Sequence, residues 1–398
     1  MPPSRREIMI LLGKMLMTSK HVRYANGLHL DRRGPLFIVG GNFRLRNRAL
    51  WRKLVSLVER SRPEVAVIPI ASANPLKSGE KIASHLAKFG LSAFVVPLSS
   101  TIGGGTEQSQ GIYIADRIRN AGCVYFTGGR QARITGELLT TEGRPSPTLQ
   151  AIYDCWSTGG VIAGSSAGAA IMGHYMFKLP APPIEILLGG VRLGTDVDAG
   201  LGFLDPSWIV DQHFLQRGRL ARLIATMAEL DCQSGVGVDE NTAVVVHKDE
   251  MTVSGETGAV ILNLSTGFQD QSGPGFCYRG ASLSFISEGD TYLMNRKTIS
   301  PAPGKTLSGP DKEISKTIKH CGDIFAPGTV LNCLNAVTFE GNVESLATAQ
   351  SKDSDQDQYG RQSFVFRFYR DPQKTLWYSD GDRHLFHDIR LDVYRGAL

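Results

Sequence analysis

From Pro35 onward the chain alternates short apolar runs with longer amphipathic ones: "PLFIVGG", "NRALWRKLVSLVER", "EVAVIPIAS", "SGEKIASHLAKFG" and "SAFVVPL" come in turn. Runs of this length, rich in valine and isoleucine and bounded by glycine or proline, suit strands buried on both faces, while the segments between them carry helical spacing. That alternation limits the fold to β-α-β units, hence to an α/β architecture with a mostly parallel sheet flanked by helices. It continues through "IYIADRIRNAG" (helix), "CVYFTGG" (strand), "SPTLQAIYDCWSTGG" (helix) and "VIAG" (strand). The sequence then turns strand-rich in "WIVDQHF", "SGVGVDE", "TAVVVHKD", "MTVSG" and "AVILNLS".

One α/β domain is therefore expected over residues 35–300, after an N-terminal extension at 1–34. Residues 301–398 differ in character. "SFVFRFYR" and "IRLDVYRG" alternate with period two around the polar stretch "SKDSDQDQYG", which predicts a small β-rich C-terminal appendage with a loop.

With 398 residues, 42% of them hydrophobic and 20% charged, the chain is long and apolar enough to bury a sizeable core, which excludes a disordered or fibrous class. The net charge of +5 is spread along the chain and argues against a dedicated nucleic-acid binder. Six separated cysteines form no CxxC pair, so no zinc site, metal or disulfide scaffold is signalled. Arg5 and Arg6 precede "IMILLGKMLM", which has the outline of a secretion signal. Lys14 interrupts it, no small-residue cleavage pattern follows, and no run approaches a membrane span, so a cytoplasmic protein without membrane contact is expected.

The stretch "GGVIAGSSAGAAIMG" carries the chemistry. Gly164-Ser165-Ser166-Ala167-Gly168 fits G-x-S-x-G between an apolar strand and a helix, where a sharp turn lifts the serine above the sheet edge as a nucleophile elbow. Only Ser166 has glycine two residues away on both sides, and the Ala167 amide is placed to donate to an oxyanion. A serine nucleophile needs a base, and His213 in "WIVDQHFLQRGRLARL" ends a predicted strand. Strand periodicity puts Asp211 and His213 on one face and Gln212 on the other. Arg217, Arg219 and Arg222 follow; with a helix starting near Gly218 the last two share a face, a pattern suited to bidentate binding of carboxylates. In "GVDENTAV" either Asp239 or Glu240 can orient the histidine.

Taken in order, "FTGGRQARI", "AGSSAGA", "DQHFLQRGRLARL" and "GVDENTAV" resemble the cyanophycinase family of serine peptidases, relatives of peptidase E with a fold similar to class I glutamine amidotransferases. The resemblance implies that Ser166 is the nucleophile, His213 the general base and Glu240 its orienting acid. It further implies that Gln131, Asp211, Gln212, Arg217, Arg219 and Arg222 line the substrate pocket, and that Gly129, in the Gly128-Gly129 turn, supplies the second oxyanion amide. The implied reaction is exopeptidase hydrolysis of cyanophycin (multi-L-arginyl-poly-L-aspartate) to β-aspartyl-arginine, without a cofactor. Alternatives are a peptidase E-like dipeptidase acting on short aspartyl peptides and a catalytically silent polymer-binding homologue. Family patterns carry an acid or amide where this chain has Arg130, and threonine where it has Ser165. A homodimer is an expectation that no particular residue carries.

Other signals point nowhere. "DSDQDQYG" has its glycine too late, and Phe364 where a calcium loop needs glutamate. His384 and His387 lack a third ligand, and "TIGGGTE" lacks a strand-loop-helix setting for phosphate.

Overall fold

The computed structural model describes residues 32–97, 108–273, 275–309, 315–351 and 363–396. Residues 1–31 of the expected N-terminal extension, "TIGGGTE" and all but the first residue of "SKDSDQDQYG" lie outside them.

The early alternation builds the parallel part of a first sheet. β1 (Leu36–Val39), β2 (Glu64–Ile68), β3 (Ser92–Val95), β4 (Cys123–Phe126) and β5 (Val161–Ser165) stand in the order β1-β5-β4-β2-β3, all parallel. Helices Arg48–Leu57, Pro75–Ala87, Gln108–Asn120 and Pro147–Ser157 make the crossovers. Their starts are set locally: the side chains of Asn47, Asn74 and Ser146 each accept an orphan backbone N–H, and Pro75 and Pro147 occupy the first turn. None of the helices among the described residues is long and apolar enough to cross a membrane.

After the antiparallel pair β6 (Tyr175–Phe177) and β7 (Val197–Ala199), the strand-rich stretch divides between two sheets. β8 (Trp208–Gln212) and β9 (Ser234–Val238) are a parallel pair joined through helix Leu220–Leu230, and they begin a second sheet. β10 (Thr242–His247) and β11 (Glu250–Gly255) return to the first sheet, antiparallel beside β1, and β12 (Gly258–Asn263) pairs with β9 in the second. β13 (Phe268–Gln269) and β14 (Tyr278–Ser287) continue the second sheet, while β15 (Thr291–Leu293) and β16 (Thr298–Ser300) close the first at nine strands. The first sheet is thus mixed: β10 runs antiparallel to β1, and its short link to β11 excludes a crossover and admits only an antiparallel neighbour on that side.

β17 (Thr306–Leu307), β18 (Ser315–Asp323), β19 (Asn342–Gln350), β20 (Ser363–Arg370), β21 (Leu376–Ser379) and β22 (His384–Arg395) bring the second sheet to eleven strands. The β-rich region beyond residue 300 is continuous with that sheet: β22 pairs with β14, and Phe364, Phe366, Phe368 and Phe386 enter the same core as Phe214, Leu220 and Leu223. A second core, with Ile38, Val244 and Val253 of one sheet against Val210, Val236 and Ile261 of the other, holds the two sheets face to face.

The strand ends are stitched together where the sheets meet. Ser166 N donates to Val39 O (3.0 Å), His213 N to Gly40 O (2.6 Å), Gly40 N to Thr242 O (3.0 Å) and Asn241 N to Gly41 O (2.7 Å). The ends of β1, β5, β8 and β9 therefore share one edge.

Candidate active site

Ser166 leaves β5 with φ +54° and ψ −109° and enters the four-residue helix Ala167–Ala170. The flanking glycines are required by contact. A Cβ on Gly164 would lie 2.2 Å from Gly168 O, and one on Gly168 would lie 2.4 Å from Phe126 O. Ala167 opens the helix, so its amide has no intrahelical acceptor. The Gly128-Gly129 turn rests against the serine: a Cβ on Gly128 would be 3.3 Å from Ser166 Cβ.

β8 ends at Gln212, and His213 adopts φ +49°. This left-handed step breaks the alternation expected from a longer strand. It sends Asp211 to the arginines and His213 to the serine. His213 Nε2 lies 2.9 Å from Ser166 Oγ, and Nδ1 lies 2.6 Å from Glu240 Oε1. A carboxylate only accepts, so Nδ1 carries the proton and Nε2 presents a lone pair to the serine hydroxyl. Burial holds the imidazole below its usual pKa; the Glu240 hydrogen bond opposes this, and Arg217 and Arg219 add to it. The balance favours the neutral imidazole.

Glu240 is fixed from its other side by Asn42, whose Nδ2 donates to Oε2 at 3.0 Å. Burial alone would raise this carboxyl, but hydrogen bonds from His213 and Asn42 and the charge of Arg217 outweigh it and hold Glu240 below its ordinary value. Asp239, the other acid of the pair, turns away. Its Oδ1 accepts Leu215 N (3.0 Å) and its Oδ2 accepts Gln216 Nε2 (2.9 Å), and burial pushes it up to about 6. Gln216 Oε1 in turn accepts Glu240 N at 3.2 Å, so one amide side chain braces both acids.

Asn42, Ser166, His213 and Asn241 all have φ between +46° and +54°. Such conformations cost about 1 kcal/mol or more each and persist only where the surroundings over-determine them. Here backbone bonds at the strand ends brace three of them: Ser166 N to Val39 O, His213 N to Gly40 O and Asn241 N to Gly41 O.

The expected arginine clamp takes a different form. Arg222 Nε donates to Asp211 Oδ2 at 2.7 Å and its Nη2 to Oδ1; Arg219 Nη1 reaches Oδ1 at 3.2 Å and also bonds Gln212 O. Asp211 is 1% exposed, Arg219 8% and Arg222 6%, and Arg222 lies over Phe177. These three side chains, read from the sequence as pocket lining, are buried against one another and offer no free clamp. Arg217 is exposed, and its charge acts on both His213 and Glu240. Gln131 starts helix Gln131–Leu138 and donates to the carbonyls of Phe177 and Lys178, while Gln212 is buried with Oε1 unpartnered. Arg130 is exposed at the N-cap of the same helix.

Gly41, Asn42 and Gln216 escape the sequence reading. A Cβ on Gly41 (φ +118°) would be 2.2 Å from His213 Cε1, so the imidazole lies flush on this glycine. The only trace in the sequence is the pair of glycines ending "FIVGG". Among the described residues no three His, Cys, Asp or Glu side chains converge as a metal-binding set.

The family model of peptidase family S51 matches residues 36–254. A cyanophycinase from Geminocystis herdmanii is 31% identical over 255 residues, covering 60% of this chain and 85% of that protein. One from Trichormus variabilis is 28% identical over 283 residues, covering 67% and 87%. A solved peptidase from an acI-B1 Actinobacterium superposes with a TM-score of 0.46 at 18% identity over 67% of this chain and 98% of its own, a likeness too distant to bear on site or substrate. With more than half of its length matched by that model, the chain belongs to peptidase family S51.

Proposed function

We propose that the protein is a serine-type exopeptidase that hydrolyses cyanophycin to β-aspartyl-arginine through an acyl-enzyme on Ser166. The observation that carries this reading is the continuous relay from Ser166 Oγ through the imidazole of His213 to Glu240, at 2.9 and 2.6 Å. Ser166 Oγ attacks the scissile carbonyl while His213 Nε2 takes its proton, and Glu240 stabilises the imidazolium. The amides of Gly129 and Ala167 receive the oxyanion. Collapse of the tetrahedral intermediate breaks the C–N bond, and His213 returns the proton to the leaving amine. Water, deprotonated by the now neutral His213, attacks the ester; the second collapse restores the serine hydroxyl and frees the acid. Arg217 receives a substrate carboxylate, and Gln131 and Gln212 contribute amide contacts. The cyanophycinase relatives support the choice of polymer.

Arg130 favours a second reading. An exposed cation next to the Gly129 turn repels a guanidinium-bearing polymer, which would leave short aspartyl peptides as the substrates. The deciding experiment incubates the protein and its Ser166→Ala variant with insoluble cyanophycin and follows soluble products by mass spectrometry. β-Aspartyl-arginine from the native protein alone is the expected result. No release from the polymer, with hydrolysis of short aspartyl peptides, transfers the assignment to the dipeptidase reading.

A further inference from the structure

The family match stops at residue 254, yet a turn beyond residue 300 packs against Gly218, the residue that follows Arg217. Gly218, directly after Arg217, has φ +54°, and a Cβ there would lie 2.4 Å from both Cα and O of Phe325. Phe325 follows β18. Ile324 between them is fully buried in the core that holds Phe214 and Leu215, and its N donates to Thr348 O at 2.8 Å. The turn is fastened by Asp323, whose Oδ1 accepts Phe325 N at 2.9 Å and whose carbonyl accepts Ala326 N at 3.1 Å. Two exposed residues flank the contact between Gly218 and Phe325: Arg217, directly before Gly218 in the family domain, and Asp323, two residues before Phe325 at the end of β18. Neither makes an ion pair with a described residue.

Among the described residues, the three acids at the strand ends around the serine are engaged. Asp211 holds Arg219 and Arg222, Asp239 holds Leu215 N and Gln216, and Glu240 holds His213 and Asn42. None is free for a cationic substrate group. We infer that Asp323 is a specificity-determining residue of this site, pairing with the guanidinium of a zwitterionic aspartyl-arginine unit whose carboxylate is held by Arg217. The inference rests on the peptidase reading above and assigns to the C-terminal strands a role in choosing the substrate.

Asp323→Asn isolates the charge, because the asparagine Oδ1 keeps the bond from Phe325 N that shapes the turn. The expected result is a KM raised about tenfold or more for an arginine-bearing aspartyl polymer, the loss of one charge-assisted contact, with kcat unchanged. KM for an arginine-free aspartyl peptide stays at the native value. Equal effects on both substrates, or none, overturn the assignment. Dissociation constants measured on Ser166→Ala protein, with and without Asp323→Asn, decide the matter independently of turnover. If the native protein cleaves neither substrate the peptidase reading fails, whereas the assignment of Asp323 fails only if the substitution leaves the affinity ratio for the two ligands unchanged.

Discussion

Glu240→Gln tests the relay most directly. In the transition state His213 carries a full charge, and its Nδ1 is 2.6 Å from Glu240 Oε1. Unit charges about 4 Å apart at an effective dielectric constant of about 20 attract by about 4 kcal/mol. The Glu240 side chain is 24% exposed, and screening reduces this to about 3 kcal/mol, a factor of about 10² in rate. The amide adds a second fault: its NH₂ can donate to Nδ1, which places the imidazole proton on Nε2, facing Ser166 with a donor where an acceptor is needed. A tautomer error of that kind costs about 10⁴ in a well-characterised triad. A kcat reduced by between about 10² and 10⁴ at nearly constant KM is therefore expected on a soluble aspartyl substrate. The pH profile supplies an independent sign. Burial lowers the His213 pKa and Glu240 raises it, so removing the carboxylate moves the acid limb of the residual activity to lower pH. A folded variant that loses less than tenfold in kcat, or whose acid limb moves upward, refutes the relay.

Two further predictions concern stability. Asp239 keeps its proton to about pH 6 in the folded protein and to about pH 4 when unfolded, so its contribution is complete below about pH 4 and declines as pH rises through 6. In urea unfolding, the stability difference between native protein and Asp239→Asn should shrink by about 2 to 3 kcal/mol from pH 4 to pH 7, and growth over that interval contradicts the burial argument. Lys305 Nζ and Asp290 Oδ2 are 2.6 Å apart with both side chains fully buried, and Asp290 also accepts Ser287 N and Ala302 N. Asp290→Ala leaves a buried ammonium and two orphaned amides and should cost about 3 to 5 kcal/mol, with kcat unaltered at low temperature; a loss below about 1 kcal/mol shows that the corner relaxes.

The parallel half of the first sheet can be read from the sequence because each β-α-β unit declares itself locally, through period and through caps such as Asn74-Pro75. Membership of the later strands cannot. "SGVGVDE" and "TAVVVHKD" are equally apolar, and only three residues separate β9 from β10, yet the chain changes sheets between them. The switch depends on Asn241 at φ +53° and on pairing partners more than a hundred residues away along the chain, neither of which has a periodic signature. For the same reason the phenylalanines of "SFVFRFYR" announce a strand with an apolar face without revealing that this face completes the core under Phe214.

Ser166 is legible because the geometry it needs is written in the residues beside it; His213 is legible as a histidine at a strand end, but not the left-handed step that parts it from Asp211. The choice between Asp239 and Glu240 is not, since it depends on Gln216 and Asn42, which reach them from other strand ends. The arginines mislead for an instructive reason. Spacing of i, i+3 puts Arg219 and Arg222 on one face, but does not say whether that face meets solvent or a buried acid. Here it meets Asp211, and two guanidiniums on one carboxylate leave an excess positive charge in place. Burial lowers the Arg219 pKa to about 10, which leaves it charged at neutral pH. Its field reaches His213 and works against protonation of the imidazole. The motif that reads as a clamp for substrate carboxylates thus helps instead to hold the His213 imidazole toward its neutral form, an influence that substitution of Arg219 would remove together with the support of β8.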